Sequence, residues 1–410
     1  MKVLLLGVGM QGKAVLHDLV QSDNVEEIVA ADLEIGNLKQ HVNKKQYGTK
    51  VRCEYLDVTD QDNLDRLMRQ GPHVAIELLH QRFQASIARS AVKHGIHLVN
   101  AFYIMPGLSE LNEEAKSRGV SILPEFGLDP GIDLVLLGEA VRSFDKLEEI
   151  NIYGAGIPEP EASEGPLRYK VSWTLKGVLD SYVRPARIIR NRNTIHIGRN
   201  ELFHPENIHE IEIGGIGRLE AFPNDDVLDY VSPLGFDLQS LQNLGRYTLR
   251  WPGHANFWRE MVDLHLLDDE PLVVGNTEID PRRFLAAAMG PHMQYGDSER
   301  DLVIVRVDIT GSRGGRRKRA IYQVTDRRDL GSGFTAMSRT VGFTTSIGAQ
   351  MIGTGRISKR GILSPATDVP YDIFCRELKD RGIRITSEFR DLRSGLAVGK
   401  EEVQEKPGSL

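Results

Sequence analysis

The chain has 410 residues, of which 40% are hydrophobic and 26% are charged, and its formal net charge is −6. This length and composition predict a globular protein of two domains rather than a disordered or fibrous chain. No segment reaches the roughly 20 uninterrupted apolar residues of a membrane span, and the two distant cysteines, Cys53 and Cys375, support neither a disulfide framework nor a zinc site.

The first 145 residues alternate between short apolar runs rich in β-branched residues and segments with helical spacing. The apolar runs are 3–9, 27–32, 51–57, 73–79, 97–102 and 120–127. The first run passes into a glycine pattern instead of a cleavage site, so we expect no export and a cytoplasmic location. Repeated strand and helix indicate right-handed crossovers and a parallel sheet. The predicted fold is therefore α/β, with an N-terminal doubly wound Rossmann domain over residues 1–145.

The first strand and helix are joined by GVGMQG, which contains Gly7, Gly9 and Gly12. In this context the first glycine permits a tight turn, the second lets the backbone approach a pyrophosphate, and the third lets helix and strand pack closely. Asp32 ends the second strand about 20 residues later, where a carboxylate accepts hydrogen bonds from ribose hydroxyls and repels a 2′-phosphate. We therefore predict NAD, with NADP as the alternative. The predicted cofactor-binding residues are Gly7, Gly9, Met10, Gln11, Gly12, Asp32, Asp57, Leu78 and Asn100.

Polar residues follow the fourth, fifth and sixth predicted strands, whose ends meet at one edge of a parallel sheet. They are Glu77 and His80, Asn100 and Tyr103, and Asp129. Asp129, Tyr103 and His80 are the predicted catalytic residues, because proton transfer needs an acid or a base at this edge. The alternatives are an N-cap role for Asp129, with the following proline at the first helical position, packing for Tyr103, and a satisfied polar position for His80.

The pattern changes after residue 145 to longer strand-like stretches with fewer regular helices. We predict an inserted α+β domain over residues 146–335 for substrate binding and dimer contact. A C-terminal segment, 336–393, is predicted to pack back on the Rossmann domain, and 394–410 is predicted to be a flexible tail. The dense basic run at 311–320 has no interleaved aromatic residues and predicts a hairpin tip rather than a nucleic-acid surface.

Several motifs along the chain resemble those of the saccharopine dehydrogenase family. They are GVGMQG near the N-terminus, the run AFYIMPGLSELNEEAKSRGVSILPEFGLDPGID at 101–133, the segment at 169–192, YTLRWPGH at 247–254, and GILSPATDVP. The resemblance covers nearly the whole chain. It implies an enzyme that oxidises or reduces a carbon–nitrogen bond of a small amino-acid substrate with a nicotinamide cofactor, and that works as a homodimer or higher homo-oligomer.

Two positions depart from the fungal glutamate-forming members of this family. Those proteins tend to have a cysteine before the turn of the inserted domain and a histidine after GID, where this chain has Gly154 and Leu134. The run GVLDSYVRPARIIRNR is similar to the lysine 6-dehydrogenase group, which implies oxidative deamination of lysine or a close relative. One alternative is a saccharopine- or carboxynorspermidine-type reductive condensation of an amine with a carbonyl compound. Another is an NAD-binding regulatory protein without catalysis.

The substrate carboxylate is assigned to Arg250 in TLRWPGH, because a guanidinium binds a carboxylate in a two-point fork. Trp251 and His254 are expected to line the same wall, and Trp173 is a further candidate. The alternative is a buried strand-turn in which Arg250 pairs with an internal acid. The histidine pairs HGIH and HPENIH lack metal-ligand spacing, so no metal is predicted.

Overall fold

The computed structural model describes residues 1–165, 167–392 and 397–402. The chain divides into two compact units. The first unit comprises Met1–Gly138 and Ser338–Ile383, and the second comprises Glu139–Met337 and Arg384–Leu410. No helix in the described ranges is long and apolar enough to cross a membrane.

The N-terminal part of the first unit contains all six predicted strands, each followed by a helix. Its elements are β1 (Lys2–Leu6), α1 (Met10–Gln21), β2 (Glu27–Asp32), α2 (Ile35–Lys45), β3 (Val51–Tyr55), α3 (Gln61–Met68), β4 (Val74–Glu77), α4 (Gln84–His94), β5 (His97–Asn100), α5 (Asn112–Ser117), β6 (Ser121–Leu123) and α6 (Ile132–Arg142). Local signals explain the helix ends. Asp60 accepts hydrogen bonds from the first turn of α3, and Gly95 closes α4 in the left-handed conformation.

The second unit and the C-terminal segment supply the remaining elements. They are β7 (Lys146–Pro158), α7 (Leu175–Ser181), β8 (Ala186–Arg190), β9 (Asn193–Ile197), β10 (His209–Ile213), β11 (Gly217–Pro223), α8 (Val227–Val231), β12 (Asn243–Arg250), α9 (His254–Asp263), β13 (Leu272–Val274), β14 (Thr277–Ile279), α10 (Pro281–Met289), β15 (Asp301–Arg313), β16 (Arg316–Arg327), α11 (Ala336–Gly353), β17 (Gly361–Ile362), α12 (Pro365–Asp368), α13 (Tyr371–Asp380), β18 (Ile385–Asp391) and β19 (Ala397–Glu402).

The sheet of the first unit is parallel throughout, with the strand order β17-β6-β5-β4-β1-β2-β3. This order is the doubly wound arrangement extended by one short strand, and it reverses at β1 and β4. Leu4, Leu5 and Leu6 in β1 are all fully buried, as expected for a central parallel strand covered on both faces. The predicted α/β fold with an N-terminal Rossmann sheet is therefore confirmed.

The sheet of the second unit is mixed and has ten strands in the order β10-β11-β12-β7-β15-β16-β18-β19, with β8 and β9 attached beside β12. β12 pairs with β7 in parallel and with β11 antiparallel. On one face Tyr153, Leu249 and Ile304 belong to a buried apolar cluster. Because successive strand residues point to opposite faces, Arg250 lies on the other face of the sheet from Leu249.

The structure divides the C-terminal part of the chain differently from the sequence prediction. The boundaries fall within α6 and α11 rather than at residues 145 and 335, and the predicted segment 336–393 is shared, since β18 belongs to the second unit. In the predicted tail, residues 397–402 form β19, which pairs with β18. Residues 394–396 and 403–410 of that tail lie outside the described residues. The basic run forms the tip of the β15–β16 hairpin, as predicted, with Gly314 and Gly315 at the turn.

Candidate functional site

The turn between β1 and α1 depends on glycines at two close approaches of the backbone. Gly7 has φ of +91°, and a Cβ atom there would lie 3.0 Å from the carbonyl oxygen of Leu78. A Cβ atom on Gly12 would lie 2.2 Å from the carbonyl oxygen of Gly7. These contacts give a physical basis for the predicted roles of the two glycines in the tight turn and in helix packing.

The N-terminus of α1 has the space and the polarity that a diphosphate requires. A Cβ atom on Gly9 would meet no atom within 4 Å, and no side chain among the described residues caps this helix. Met10 is 47% exposed, and the side-chain oxygen of Gln11 is buried without a partner in the described part of the chain. An uncapped helix N-terminus carries partial positive charge and free N–H groups. These residues therefore fit the pyrophosphate of a nicotinamide dinucleotide.

Two carboxylates stand at the ends of β2 and β3, on the adenosine side of the predicted cofactor site. Asp32 Oδ2 accepts the Val8 N–H at 2.7 Å, and Asp32 Oδ1 accepts the Glu34 N–H at 2.9 Å. Asp57 accepts the hydroxyl and N–H of Thr59, which lower the pKa of its carboxyl. Asp32 thus fixes the glycine turn to β2 while its carboxylate stays at the position expected for ribose recognition.

The end of β4 lies beside the glycine turn, and the end of β5 lies next to that of β4. The Leu78 N–H donates to the carbonyl oxygen of Leu6 at 2.9 Å, which joins the residue after β4 to β1. Asn100 ends β5 and is fully buried, as are Glu77 at the end of β4 and Gln84 at the start of α4. Polar groups buried this completely are normally part of a hydrogen-bond network. The sequence pattern predicted only that Glu77 lies at the end of a strand, and it indicated no role for this residue.

The stretch EFGLDPGID forms a compact turn between β6 and α6. A Cβ atom on Gly131 would lie 2.2 Å from the carbonyl oxygen of Gly127, so the two ends of the turn touch. Helix α6 begins at Ile132, and Asp133 accepts the Gly131 N–H at 2.8 Å. The predicted N-cap role of Asp129 is therefore wrong, because the helix starts beyond the position that a cap at 129 requires. Asp129 is half-buried in the turn itself.

Backbone hydrogen bonds hold the loop after β5 against the loop after β6. The Glu125 N–H donates to the carbonyl oxygen of Phe102 at 3.0 Å, and the Phe126 N–H donates to that of Asn100 at 2.9 Å. These bonds gather the loop that carries Tyr103 and the turn that carries Asp129 at the same edge of the sheet. His80 is exposed, and its Nδ1 accepts the Arg82 N–H at 3.2 Å.

In the second unit Arg250 lies in an aromatic cluster on the helix-covered face of the sheet. It is 6% exposed, its guanidinium carbon lies 4.7 Å from the ring centre of Tyr169, and its Nη1 donates to the Leu249 carbonyl oxygen at 2.9 Å. Its Nε has no partner, and no carboxylate forms an ion pair with it, among the described residues. Glu220, directly opposite in the ladder, instead accepts the Gly253 N–H at 3.0 Å and the Ala255 N–H at the start of α9.

His254 belongs to the same cluster. Its Nε2 and the Tyr182 hydroxyl are 2.7 Å apart and share a hydrogen bond, and its ring lies parallel to that of Phe222, which also flanks Arg250. Burial, and then the charge of Arg250, lower the pKa of His254 well below its ordinary value. The imidazole is therefore neutral near pH 7 and available as a hydrogen-bonding group rather than as a second cation.

The two tryptophans predicted beside Arg250 have different positions. Trp251 is 5% exposed within the apolar cluster of the opposite face, and its indole N–H donates to the Pro158 carbonyl oxygen at 2.9 Å. The expectation that it lines the same wall as Arg250 is therefore wrong, since adjacent strand residues face opposite ways. Trp173 is 39% exposed and lies near Tyr169, so it stays a candidate for the substrate wall.

The sequence did not identify Tyr169, Tyr182, Phe222 and Glu220 as members of this cluster. Tyr169 and Tyr182 come from the segment 169–192, and Glu220 and Phe222 come from β11, so the cluster forms through non-local pairing and helix packing. The only local signal is that Tyr169 and Tyr182 lie within the segment 169–192, which carries part of the family resemblance. A resemblance marks a segment without showing which side chains face inward.

The parallel sheet, the glycine turn and the uncapped α1 N-terminus define a dinucleotide-binding protein of the Rossmann type. The chain belongs to the saccharopine dehydrogenase family. The model of the saccharopine dehydrogenase NADP binding domain matches residues 3–123, and that of the saccharopine dehydrogenase C-terminal domain matches residues 127–383. The family resemblance and the nicotinamide class of cofactor are thereby confirmed.

The chain is similar over most of its length to named relatives. It is 27% identical to the NADP-dependent, L-glutamate-forming saccharopine dehydrogenase of Pyricularia oryzae, over 92% of this chain and 96% of that protein. It is 26% identical to the mitochondrial alpha-aminoadipic semialdehyde synthase of Bos taurus over 94% of this chain, and it spans 48% of that protein. The solved apo structure of the Saccharomyces cerevisiae saccharopine dehydrogenase (L-Glu forming) has a TM-score of 0.83 at 25% identity, over 95% of this chain and 99% of that chain.

Proposed function

We propose that this protein is an NAD(P)-dependent oxidoreductase that acts on a carbon–nitrogen bond of a lysine-type amino acid, with oxidative deamination of lysine as the preferred reaction. The observation that carries this proposal is Arg250, a buried guanidinium without a carboxylate partner among the described residues. An unpaired buried charge is costly, and a substrate carboxylate would supply the missing partner in a two-point geometry.

The surroundings of Arg250 favour a substrate with few carboxylates. The nearby Lys170 pairs with Glu299, whereas Arg168 stacks over the ring of Trp251 on the opposite face of the sheet. Lysine has a single carboxylate, whereas saccharopine joins lysine to a glutamate skeleton and carries more. Because Lys170 is already paired, Arg250 is the cation of this cluster that we assign to the substrate, and the single carboxylate of lysine or a close relative matches its charge.

The remaining residues have roles at the reacting amine. When bound, the nicotinamide ring accepts a hydride from the substrate carbon. We assign Tyr103 and Asp129 to orienting the amine and handling its proton, because backbone bonds hold their two loops at one edge of the sheet. His80 is the further candidate there, and its exposed position suits proton exchange with water. Water then attacks the substrate imine to release ammonia.

The names of the relatives favour a second candidate, cleavage or formation of saccharopine. The fungal relatives are saccharopine dehydrogenases that form L-glutamate, and they match nearly end to end. Gly154 and Leu134 stand in this chain where fungal members tend to have a cysteine and a histidine, which is the sequence argument against the same chemistry. The two candidates differ in whether a carbonyl compound takes part as the second substrate.

A substrate panel tests both candidates with the purified protein. NAD(P)H formation is followed with lysine, saccharopine and diamines, and NAD(P)H consumption with amines plus carbonyl partners, each with NAD and with NADP. We expect lysine to be oxidised, with NAD preferred because Asp32 would repel a 2′-phosphate. Turnover of saccharopine without lysine would replace the leading proposal by its alternative. Absence of turnover in every combination would contradict both.

A further inference from the structure

Three fully buried polar side chains lie together at the carboxyl ends of β4 and β5, where the loop that carries Tyr103 begins. Glu77 ends β4, Gln84 starts α4 and Asn100 ends β5, and each is 0% exposed. Charged and amide side chains are rarely buried to this extent without specific partners. Apolar residues would fill the same volume at a lower desolvation cost, so these three residues indicate a positional requirement.

The three side chains form one hydrogen-bonded chain. Asn100 Nδ2 donates to Glu77 Oε2 at 3.3 Å, and Gln84 Nε2 donates to Asn100 Oδ1 at 3.4 Å. The second oxygen of Glu77, Oε1, is buried and has no partner among the described residues. Glu77 is therefore one end of this hydrogen-bonded series, and among the described residues its side chain is hydrogen-bonded to Asn100 alone.

The other end of this chain holds the backbone of the loop at residues 101–105. Asn100 Oδ1 accepts the Phe102 N–H at 3.2 Å, Gln84 Nε2 donates to the Tyr103 carbonyl oxygen at 3.0 Å, and Gln84 Oε1 accepts the Met105 N–H at 2.8 Å. Three backbone groups of one short loop thus depend on two buried amides. The orientation of those amides depends in turn on Glu77.

We propose that Glu77 is a positioning residue, which acts through Asn100 and Gln84 to hold the loop that carries Tyr103. It touches neither substrate nor cofactor in this role. The requirement on Glu77 is an acceptor for Asn100 Nδ2, since that bond decides which way the Asn100 amide faces and therefore leaves Oδ1 free for Phe102 and Gln84. The proposed catalytic contribution of Tyr103 would depend on this loop, so the activity part of the proposal rests on the function proposed above.

The carboxyl of Glu77 meets this requirement without a negative charge. No cation contacts it among the described residues, and burial raises its pKa to about 8, against a smaller opposing effect of the Asn100 hydrogen bond. A protonated carboxyl and a glutamine amide have the same shape, and both present one acceptor oxygen. Glu77→Gln should therefore preserve the network, and Glu77→Met, of similar length but without a strong acceptor, should break it.

Hydrogen exchange of the loop amides tests the proposal without any substrate. In Glu77→Met we expect the Phe102 and Met105 amides to exchange about 10-fold faster than in the parent, since each depends on one hydrogen bond of the network. In Glu77→Gln the rates should stay within about 2-fold of the parent. Ile76→Val removes a neighbouring buried methyl outside the network and serves as the control for general loosening of β4.

Activity supplies the second readout. With the substrate found in the panel, kcat should fall about 10-fold or more in Glu77→Met and be restored in Glu77→Gln, with little change in KM. Equal loop exchange in Glu77→Met and the parent would overturn the proposal, and so would a Glu77→Gln variant as impaired as Glu77→Met. If Glu77→Met does not fold, Glu77→Leu takes its place. If no substrate is turned over, the exchange experiment still decides the positioning role.

Discussion

The two units of this chain build their candidate sites from different materials. In the first unit the predicted cofactor-binding residues offer mainly backbone groups, as a glycine turn and an uncapped helix N-terminus within about a dozen residues of sequence. In the second unit the substrate candidate is a single side chain, Arg250. It is surrounded by Tyr169 and Tyr182 of the segment 169–192, by Phe222 of β11 and by His254 at the start of α9. A backbone site is encoded locally, whereas a side-chain cluster is encoded by the whole sheet.

This difference changes what a substitution should do in each unit. Backbone sites fail when a side chain is added, because space is the functional requirement. The side-chain cluster fails when its charge is removed, while the fold around it gains from losing an unpaired buried cation. The first unit should therefore show coupled losses of stability and binding at some positions, and the second unit should show binding loss without stability loss.

The largest effect is expected at Gly12. Gly12→Ala places a Cβ atom 2.2 Å from the Gly7 carbonyl oxygen, so helix α1 must shift and the protein should lose about 3 kcal/mol or more of unfolding free energy. Urea unfolding measures this loss. The matched control is Gly9→Ala, where φ is −72° and the added Cβ meets no atom within 4 Å, so stability should be unchanged or slightly higher.

The same pair of variants separates packing from cofactor binding. Gly9→Ala should weaken NADH binding about 10-fold or more, because the new methyl group occupies the space that the pyrophosphate needs. NADH fluorescence gives the affinity. A folded Gly9→Ala protein that binds NADH like the parent would show that the diphosphate does not approach this turn. The first unit would then not bind its cofactor through the backbone of the glycine turn.

The same difference between the two units explains which features were predictable from the sequence. Six strands, the glycine turn and Asp32 were predictable because each is a short-range pattern. The cap at Asp129 failed because the contact of Gly131 with Gly127 closes a turn that spacing alone does not reveal. The prediction for Trp251 was wrong for a reason that the sequence already contains: adjacent residues of a strand point to opposite faces, so Trp251 and Arg250 cannot line the same wall. Tyr169 and Glu220 could not be foreseen, because non-local pairing decides which segments meet.

The second expected effect is the dependence of folding stability on pH, which has opposite signs in the two units. The Glu77 carboxyl has its pKa raised from 4.5 to about 8, so the folded chain binds a proton that the unfolded chain releases, and stability falls as pH rises from 4.5 to 8. His254 has its pKa lowered well below 6.5, so the unfolded chain binds the extra proton and stability falls as pH drops below 6.5.

Unfolding of Glu77→Gln and His254→Gln at pH 5, 6.5 and 8 measures both slopes against the parent. Glu77→Gln should gain stability relative to the parent toward pH 8, on the order of a few kcal/mol at about 1.4 kcal/mol per pKa unit. His254→Gln should gain relative stability toward pH 5. All three tryptophans, Trp173, Trp251 and Trp258, lie in the second unit, so their fluorescence follows His254 while circular dichroism follows both units. Parallel slopes in the two variants would contradict the assignment of a protonated Glu77 carboxyl and a neutral His254 imidazole.

The smallest change in unfolding free energy is expected at Arg250, where substitution should affect substrate binding alone. Arg250→Met keeps the length of the side chain and removes a buried guanidinium that has no carboxylate partner among the described residues, so unfolding free energy should be equal or higher. Loss of a charge-assisted contact worth about 1.5–3 kcal/mol should raise KM for the amino acid about 10- to 100-fold.

Trp251→Phe is the control on the opposite face: it loses the hydrogen bond to Pro158, so stability should fall by about 1 kcal/mol while KM stays constant. If Arg250→Met instead lost stability and kept its KM, Arg250 would be a structural residue of the sheet, and the distinction between the two units would rest on the glycine turn alone.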